Sequence, residues 1–125
     1  DLNRPQFKAD TVERRLQDPD SDATAVTSVL GHALQVRRDQ PALHPDAAME
    51  VLSAGRSDLV MLRRRGGGQT LVAVHNVTSS RLTLALGRLG GRTGLAWADC
   101  LSGSSETHGS QLQLEPYAVH WLIQA

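Results

Sequence analysis

The amino-acid sequence predicts a mainly β chain, an antiparallel β-sandwich with Greek-key connections that is preceded by one or two α-helices. Three observations lead to this fold class. Apolar residues recur with a period near 3.6 up to about residue 39, the period falls to two from Ala48 onward, and no helical pattern separates the later segments. Because parallel strands need long crossover connections, short strands that follow one another directly indicate antiparallel pairing.

The first part of the chain predicts two helices. Asp10 or Thr11 can cap a short helix, which the segment around Pro19 interrupts. A longer amphipathic helix is expected over about residues 21–39, because its acidic start suits the positive end of the helix dipole. Pro41 then stops this helix, since the residue before a proline avoids the helical conformation.

Segments with alternating apolar residues predict six or seven short strands. They are MEVLS near 49–53, DLVMLR at 58–63, TLVAVH at 70–75, RLTLAL at 81–86, LAWADCL at 95–101, and QLQLEP and AVHWLI within 111–123. RRRGGG at 63–68 predicts a hairpin turn flanked by three solvated arginines. The expected core on the side of the helices comprises Leu59, Met61, Val72, Val74, Leu84, Trp97, Leu114 and Trp121. Asp99 shares a face with Trp97 and would need a partner.

Composition excludes several classes of partner. The 125 residues carry 13 basic and 13 acidic side chains, and this balance offers no electrostatic attraction for nucleic acid or an anionic membrane. No apolar run approaches the length of a membrane span, and no basic-then-apolar leader is present. The single cysteine, Cys100, excludes an internal disulfide. We therefore expect a cytoplasmic domain that binds neither nucleic acid nor membrane.

No motif predicts a catalytic, cofactor or metal site within the chain. The five histidines lack metal-ligand spacing, so His75 and His120 are interpreted as structural residues that could meet across a sheet. Cys100 is expected to be a small buried hydrophobe. Asn76-Val77-Thr78 matches the glycosylation acceptor pattern by chance, and Gly66 to Gly68 lack the Lys-Ser/Thr of a phosphate loop. No pair of carboxylates with acid and base roles emerges.

The order of several short phrases resembles the carboxyl end of α-amylase superfamily enzymes, glycoside hydrolase family 13. The phrases are DLNR at 1–4, LQVRRDQPALHP at 34–45, TLVAVHNVTSSRLTLAL at 70–86, WADCLSG at 97–103 and LEPYAVHWL at 114–122. Within the superfamily the chain is most similar to the sucrose phosphorylase and glucosylglycerate phosphorylase group. The resemblance implies that residues 1–45 are the last helical segment of a (β/α)8 barrel and residues 46–125 a carboxyl-terminal β-sandwich.

The resemblance also implies a parent enzyme that acts on α-glucosides with retention, through a covalent glucosyl intermediate. Its nucleophile, acid/base and stabilising carboxylate follow barrel strands that this chain lacks, so the missing barrel is the implied partner and the chain alone is expected to be inactive. The resemblance also implies one substrate-binding site in this chain. In the phosphorylases that it resembles, the Arg that ends the first phrase reaches the donor-glucose subsite; the matching residue here is Arg4, with Asn3 beside it. The acceptor, whether phosphate, water or a sugar, stays open.

The predicted function is therefore that of a non-catalytic structural domain of a glucoside phosphorylase or glucosyltransferase. Two alternatives remain: a free-standing carbohydrate-binding module and a protein-interaction domain. The aromatic residues are Phe7, Trp97, Tyr117 and Trp121, and most of them fall in phrases that predict core strands. An exposed aromatic platform, which sugar-binding surfaces usually present, would favour the first alternative, and self-association through the long helix would favour the second.

Overall fold

The computed structural model describes residues 5–92, 94–103, 107–108 and 110–124, without the side chains of 107 and 108. These residues form two compact units, which divide between Gln35 and Val36. The helices and strands are α1 (Ala9–Gln17), α2 (Asp22–Asp39), β1 (Ala48–Leu52), β2 (Leu59–Gly66), β3 (Gln69–Asn76), β4 (Leu82–Ala85), β5 (Trp97–Asp99), β6 (Thr107–His108), β7 (Gln111–Leu114) and β8 (Val119–Gln124). Short 3-10 helices occupy Pro41–Leu43 and Leu86–Leu89. The predicted fold class, helices followed by an antiparallel β-sandwich, is confirmed.

The first unit is held together by hydroxyl groups at the break between α1 and α2. Ser21 accepts a hydrogen bond from the backbone N–H of Thr24 at 3.1 Å, which caps the start of α2. The Thr24 hydroxyl lies 3.0 Å from the carbonyl oxygens of Arg15 and Leu16 and satisfies the end of α1. Neither α1 nor α2 contains a buried residue. Among the described residues, no helix is long and apolar enough to span a membrane.

Two sheets make the second unit. Six strands pair in the order β1-β2-β3-β8-β5-β6, all antiparallel, and β4 pairs with β7 in a smaller sheet. The β2–β3 hairpin turns at Gly67 and Gly68, whose positive φ angles of 56° and 78° suit a tight turn. The predicted hairpin is therefore confirmed. The two-residue strand β6 was not predicted, because its segment is too short to show alternation.

The core lies between the two sheets. One face of the six-stranded sheet, here called the inner face, contributes Met61, Val72, Val74 and Leu122. The small sheet contributes Leu84, Leu112 and Leu114. Seven of the eight predicted core residues belong to this cluster: Leu59, Met61, Val72, Val74, Leu84, Trp97 and Leu114.

The prediction for Trp121 was wrong, because the pleat of β8 turns it to the opposite, outer face. There Trp121 packs in a smaller cluster around Ala42, Leu71 and Ala73. Ala42 belongs to the segment that follows α2, so part of the outer face is covered by the residues that lead into the β-sandwich.

The prediction that Arg63 to Arg65 are all solvated was also wrong. Arg63 pairs with Glu50 across β1 and β2, with an N–O distance of 2.6 Å. Arg64 donates to the carbonyl oxygens of Ala42 at 3.1 Å, His44 at 2.7 Å and Ala47 at 3.2 Å. Only Arg65 is exposed. The guanidinium of Arg64 therefore fastens residues 42–47 to β2.

Candidate functional site

The residues expected to reach a substrate, Arg4 and Asn3, lie outside the described residues. The substrate-binding role predicted for them stays a prediction. Within the described residues, no group of three or more His, Cys, Asp or Glu side chains could hold a metal ion. The remaining candidates are therefore the buried polar groups and the surface grooves of the second unit.

Asp99 and His120 form one such buried polar group on the inner face. Asp99 Oδ2 lies 2.8 Å from His120 Nδ1, and Asp99 Oδ1 accepts from the backbone N–H groups of Leu101 at 3.0 Å and Trp121 at 2.9 Å. Asp99 is only 3% exposed. The expectation that it needs a partner is confirmed, and the partners come from β8 and from the turn after β5.

The hydrogen bonds decide the charge state of Asp99. Burial alone would raise the pKa of the Asp99 carboxyl, but the bonds from His120, Trp121 and Leu101 outweigh it and hold the pKa below its ordinary value of 3.8. Asp99 is consequently an anion at neutral pH. A carboxylate that orients an imidazole also occurs in catalytic triads. Here the bonds from His120 and Trp121 tie β5 to β8, and the bond from Leu101 fixes the turn after β5, so we interpret the arrangement as structural.

His75 does not join this pair. In the register of β3 and β8, His75 lies opposite Val119 and His120 lies opposite Val74, so the two histidines project from opposite faces of the sheet. The prediction that they could meet was wrong for this reason. Burial lowers the pKa of His75, which lies on the outer face.

Cys100 also lies at the outer-face cluster, half-buried. Burial, assisted by the negative charge of Asp99, raises the pKa of its thiol to about 11. Since the thiolate is the nucleophilic form, Cys100 is a poor nucleophile at neutral pH. It packs as a small hydrophobe beside Trp121 and Ile123, as predicted.

Asn76, the asparagine of the glycosylation pattern, is 2% exposed. Its Nδ2 donates to the carbonyl oxygens of Ser80 at 2.7 Å and Glu115 at 2.8 Å. Its Oδ1 accepts from the backbone N–H and the hydroxyl of Thr78, at 3.0 Å and 2.8 Å. All the hydrogen-bonding groups of this amide are thus used inside the fold, so it is a structural residue and no acceptor for a glycan in the folded chain.

A surface groove of about 640 Å³ is lined by residues 54–59, 83–85 and Arg88. Arg56 pairs with Asp58, and Arg88 donates to the carbonyl oxygen of Ala54 at 3.0 Å. Both arginines at the groove therefore already bind groups of the protein. Nothing in this geometry selects a particular ligand.

The aromatic side chains do not form a platform for a sugar among the described residues. Trp97 is 4% exposed within the core, and Trp121 packs against the outer-face cluster. Tyr117 and Phe7 are exposed, but they lie in separate units, and the guanidinium of Arg15 covers the Phe7 ring at 5.8 Å. This arrangement weakens the interpretation as a carbohydrate-binding module.

Comparison with known proteins finds a relative among glucoside-phosphorylase enzymes. The chain is 35% identical over 122 residues to a glucosylglycerate phosphorylase from Allomeiothermus silvanus, a match that covers 98% of this chain and 19% of that enzyme. The chain thus spans about one fifth of the length of this relative. No protein-family model matches it.

Solved structures of trehalulose synthase MutB from Pseudomonas mesoacidophila MX-45 share the fold. One aligns with a TM-score of 0.64 and 18% identity, over 90% of this chain and 19% of MutB. A MutB mutant in complex with glucose gives a TM-score of 0.65 and 21% identity, over 90% of this chain and 20% of that one. Together with the motifs, these findings confirm that the chain is similar to the carboxyl-terminal region of enzymes of the α-amylase superfamily, glycoside hydrolase family 13.

Proposed function

We propose that this chain is the non-catalytic carboxyl-terminal part of a glucoside phosphorylase or glucosyltransferase of the sucrose phosphorylase type, in a cytoplasmic pathway of carbohydrate metabolism. The observation that supports this proposal most strongly is the likeness of 98% of the chain to about one fifth of a glucosylglycerate phosphorylase. A cytoplasmic location suits a chain whose single cysteine excludes an internal disulfide.

The remainder of the enzyme would supply the catalytic barrel. A (β/α)8 barrel needs roughly 250 residues, twice what this chain provides. Under the proposal, residues 1–45 complete that barrel as its last helical segment, and residues 46–125 form the appended β-sandwich. This boundary assigns all of α2 to the barrel, whereas the two compact units divide within α2, after residue 35.

The chemistry would take place in the barrel. In a retaining mechanism one carboxylate attacks the anomeric carbon of the α-glucoside, while a second carboxylic acid protonates the leaving oxygen. The second group then acts as a base toward the acceptor. Arg4 would contribute from this chain, because a guanidinium donates fixed, paired hydrogen bonds to hydroxyl or carboxylate oxygens near the donor glucose. Asn3 would lie beside it at the same rim.

The direct test compares the isolated chain with the complete enzyme. Each is incubated with phosphate and either sucrose or glucosylglycerate, and glucose 1-phosphate is measured. We expect release by the complete enzyme only, with one of the two glucosides preferred. Release by the isolated chain, or an enzyme that is inactive with every α-glucoside and acceptor offered, would contradict the proposal.

The role of Arg4 is tested in the complete enzyme by Arg4→Ala, with Arg14→Ala in the exposed part of α1 as the matched control. We expect Arg4→Ala to lower kcat/KM by about two orders of magnitude, as loss of a charge-assisted hydrogen bond to a buried substrate would. The control is expected to keep full activity. Equal activity of both variants would show that Arg4 does not bind the substrate.

A further inference from the structure

Two arginines of the β-sandwich are not used by the fold. From β1 onward the chain has seven arginines. Five of them bind carboxylates or backbone carbonyl groups of the protein, namely Arg56, Arg63, Arg64, Arg81 and Arg88. Within the described residues, the guanidinium groups of Arg65 and Arg92 make no hydrogen bond or ion pair. Both residues are exposed, and both line the same groove, which has a volume of about 400 Å³.

The inner face of the six-stranded sheet contributes three residues to this groove. Arg65 follows the inner-face residue Met61 by four positions, and Thr70 lies opposite Arg65 in the register of β2 and β3. Gln124 follows the inner-face residue Leu122 by two positions, so it projects from the same face of β8. Arg65, Thr70 and Gln124 therefore form a row across three neighbouring strands, at the end of the sheet where the β2–β3 hairpin turns.

Gln124 connects Arg92 to this row. Its Oε1 accepts a hydrogen bond from the backbone N–H of Arg92 at 2.6 Å, and its Nε2 donates to the carbonyl oxygen of Arg92 at 3.0 Å. A Cβ at position 91 would overlap the Gln124 amide, so Gly91 permits this close approach. The two hydrogen bonds fix the backbone of Arg92 beside the sheet and leave its guanidinium available to a ligand.

The groove carries two positive charges that no neighbouring carboxylate cancels. None of the described residues that line it is acidic. Glu50 is close enough for the charge of Arg65 to contribute to its lowered pKa, but the larger cause is the hydrogen bond from Arg63, which Glu50 already binds at an N–O distance of 2.6 Å. Asp46 borders an adjoining groove together with Arg65 and makes no ion pair with it. The charges of Arg65 and Arg92 therefore attract an anion to the groove.

We propose that this groove, here called the arginine groove, binds a phosphoryl group, either as inorganic phosphate or as part of a sugar phosphate. Two guanidinium groups offer planar sets of donors that match a dianionic oxyanion, and the Thr70 hydroxyl adds a further donor. The volume of about 400 Å³ falls within the range of small-molecule sites, roughly 300–1,000 Å³. Leu95, which is 41% exposed at the groove, would contact the organic part of a phosphate ester. The β-sandwich would thus have a ligand of its own, apart from the chemistry proposed for the barrel.

Amide chemical shifts of the 125-residue chain test the proposal residue by residue. Proton–nitrogen correlation spectra are recorded at about pH 7.5, where a phosphate ester is largely a dianion. Inorganic phosphate replaces chloride at constant ionic strength, and glucose 1-phosphate is titrated in the same way. We expect saturable shifts at Thr70, Gln124 and residues 90–92, with a Kd of about 1 mM, the strength of a few charge-assisted hydrogen bonds at an open site.

Substitutions in the arginine groove supply the second readout. Arg65→Gln and Arg92→Gln each remove one charge and should weaken binding about tenfold, as the loss of a charge-assisted hydrogen bond does. Gly91→Ala keeps every charge but displaces the Gln124 amide, so it should also weaken binding. Arg81→Gln is the matched control, because Arg81 is exposed in the same β-sandwich and does not line the groove. This control should bind phosphate as the unchanged chain does, and thermal unfolding checks that each variant is folded.

The outcomes are distinct. Chloride that shifts the same amides as strongly as phosphate does would reveal a general counter-ion effect and overturn the proposal. Arg81→Gln that weakens binding as much as Arg65→Gln would overturn it as well. Where the site is supported, tighter binding of glucose 1-phosphate assigns it to a sugar phosphate, and affinity no higher than that of inorganic phosphate assigns it to inorganic phosphate. The test uses the chain alone, so its result does not depend on the proposed function.

Discussion

Asn76 joins three parts of the β-sandwich through a single amide. Its bonds reach Thr78 and Ser80 in the turn after β3 and Glu115 in the turn after β7. Glu115 is 39 residues away in sequence, so the contact closes a long loop. Asn76 belongs to a glycosylation pattern, which is typical of surface loops, but here it connects two turns inside the fold. Its hydrogen-bond partners therefore determine its role.

Asn76→Ala is expected to destabilise the chain by about 2–4 kcal/mol, because it leaves two carbonyl oxygens and one N–H without their partner in a buried place. Urea unfolding followed by tryptophan fluorescence measures the change. Ser80→Ala is the matched control: Ser80 is exposed and the side chain of Asn76 contacts its backbone oxygen. A loss below about 0.5 kcal/mol, the scale of an ordinary surface substitution, would contradict the structural role.

Asp99 makes stability depend on pH in the acid range. Its folded pKa is lower than the ordinary value of 3.8, so folding favours the carboxylate. The stabilisation is complete above the unfolded pKa and is lost as pH falls through the folded pKa. We expect the free energy of unfolding to decline below about pH 4 for this reason.

Asp99→Asn should flatten that acid decline and cost about 1–3 kcal/mol at pH 7, because the amide cannot replace a charged acceptor for His120. Unfolding curves between pH 2 and pH 7 measure both effects, and the exposed Asp46→Asn is the control. An unchanged pH profile of the Asp99→Asn chain would show that other groups cause the acid loss.

At the scale of elements, the segment between α2 and β1 is a fixed connection. Arg64 holds three of its carbonyl oxygens and Gln69 bridges Gln40 and Ala42. Gly66 permits this approach: a Cβ there would lie 2.8 Å from the carbonyl oxygen of Pro41. The run of three arginines predicted solvent exposure. Its composition and spacing do not reveal that Arg64 would bind carbonyl oxygens about 20 residues earlier in the chain.

Arg64→Ala is expected to cost about 2–3 kcal/mol and to speed hydrogen exchange within residues 42–47, because three carbonyl oxygens lose a charged donor. Arg65→Ala, on the exposed neighbour, should change neither quantity. Hydrogen-exchange mass spectrometry and urea unfolding measure the two effects. Exchange in residues 42–47 that is equal in both variants would contradict the fixed connection.

The strands themselves were largely predictable. Alternation of apolar residues located β1 to β5, β7 and β8, and the helix expected over 21–39 is α2, Asp22–Asp39. Such periodicity is a local property that burial on one face imposes directly. The sequence did not predict that Trp121 lies on the outer face of the sheet, because β8 has apolar residues on both of its faces.

At the scale of the whole molecule, the β-sandwich contains the buried core and the helical unit contains no buried residue in α1 or α2. Helices without a buried face are marginal in water. We therefore expect residues 36–125 to keep the thermal midpoint of the full chain, read from Trp97 and Trp121, which both lie in this part.

A shorter chain of residues 48–125 is the control for this prediction. It lacks Ala42 and the acceptors of Arg64, so it should unfold at a lower temperature, with a loss of about 2–4 kcal/mol. A large fall in the midpoint of the 36–125 chain would show that the preceding residues stabilise the sandwich.

The amino-acid sequence alone predicts the class of the fold, the place of most strands, the hairpin at Gly67 and Gly68, and the likeness to α-amylase superfamily enzymes. These features depend on periodicity, turn residues and ordered phrases, all of which are readable within short windows. The folded chain was needed to reveal the roles of Asn76, Asp99 and Arg64, and the exposure of apolar residues on the outer face of the six-stranded sheet. Each of these three side chains has a partner between 17 and 39 residues away, and burial depends on which faces the folded sheets bring together.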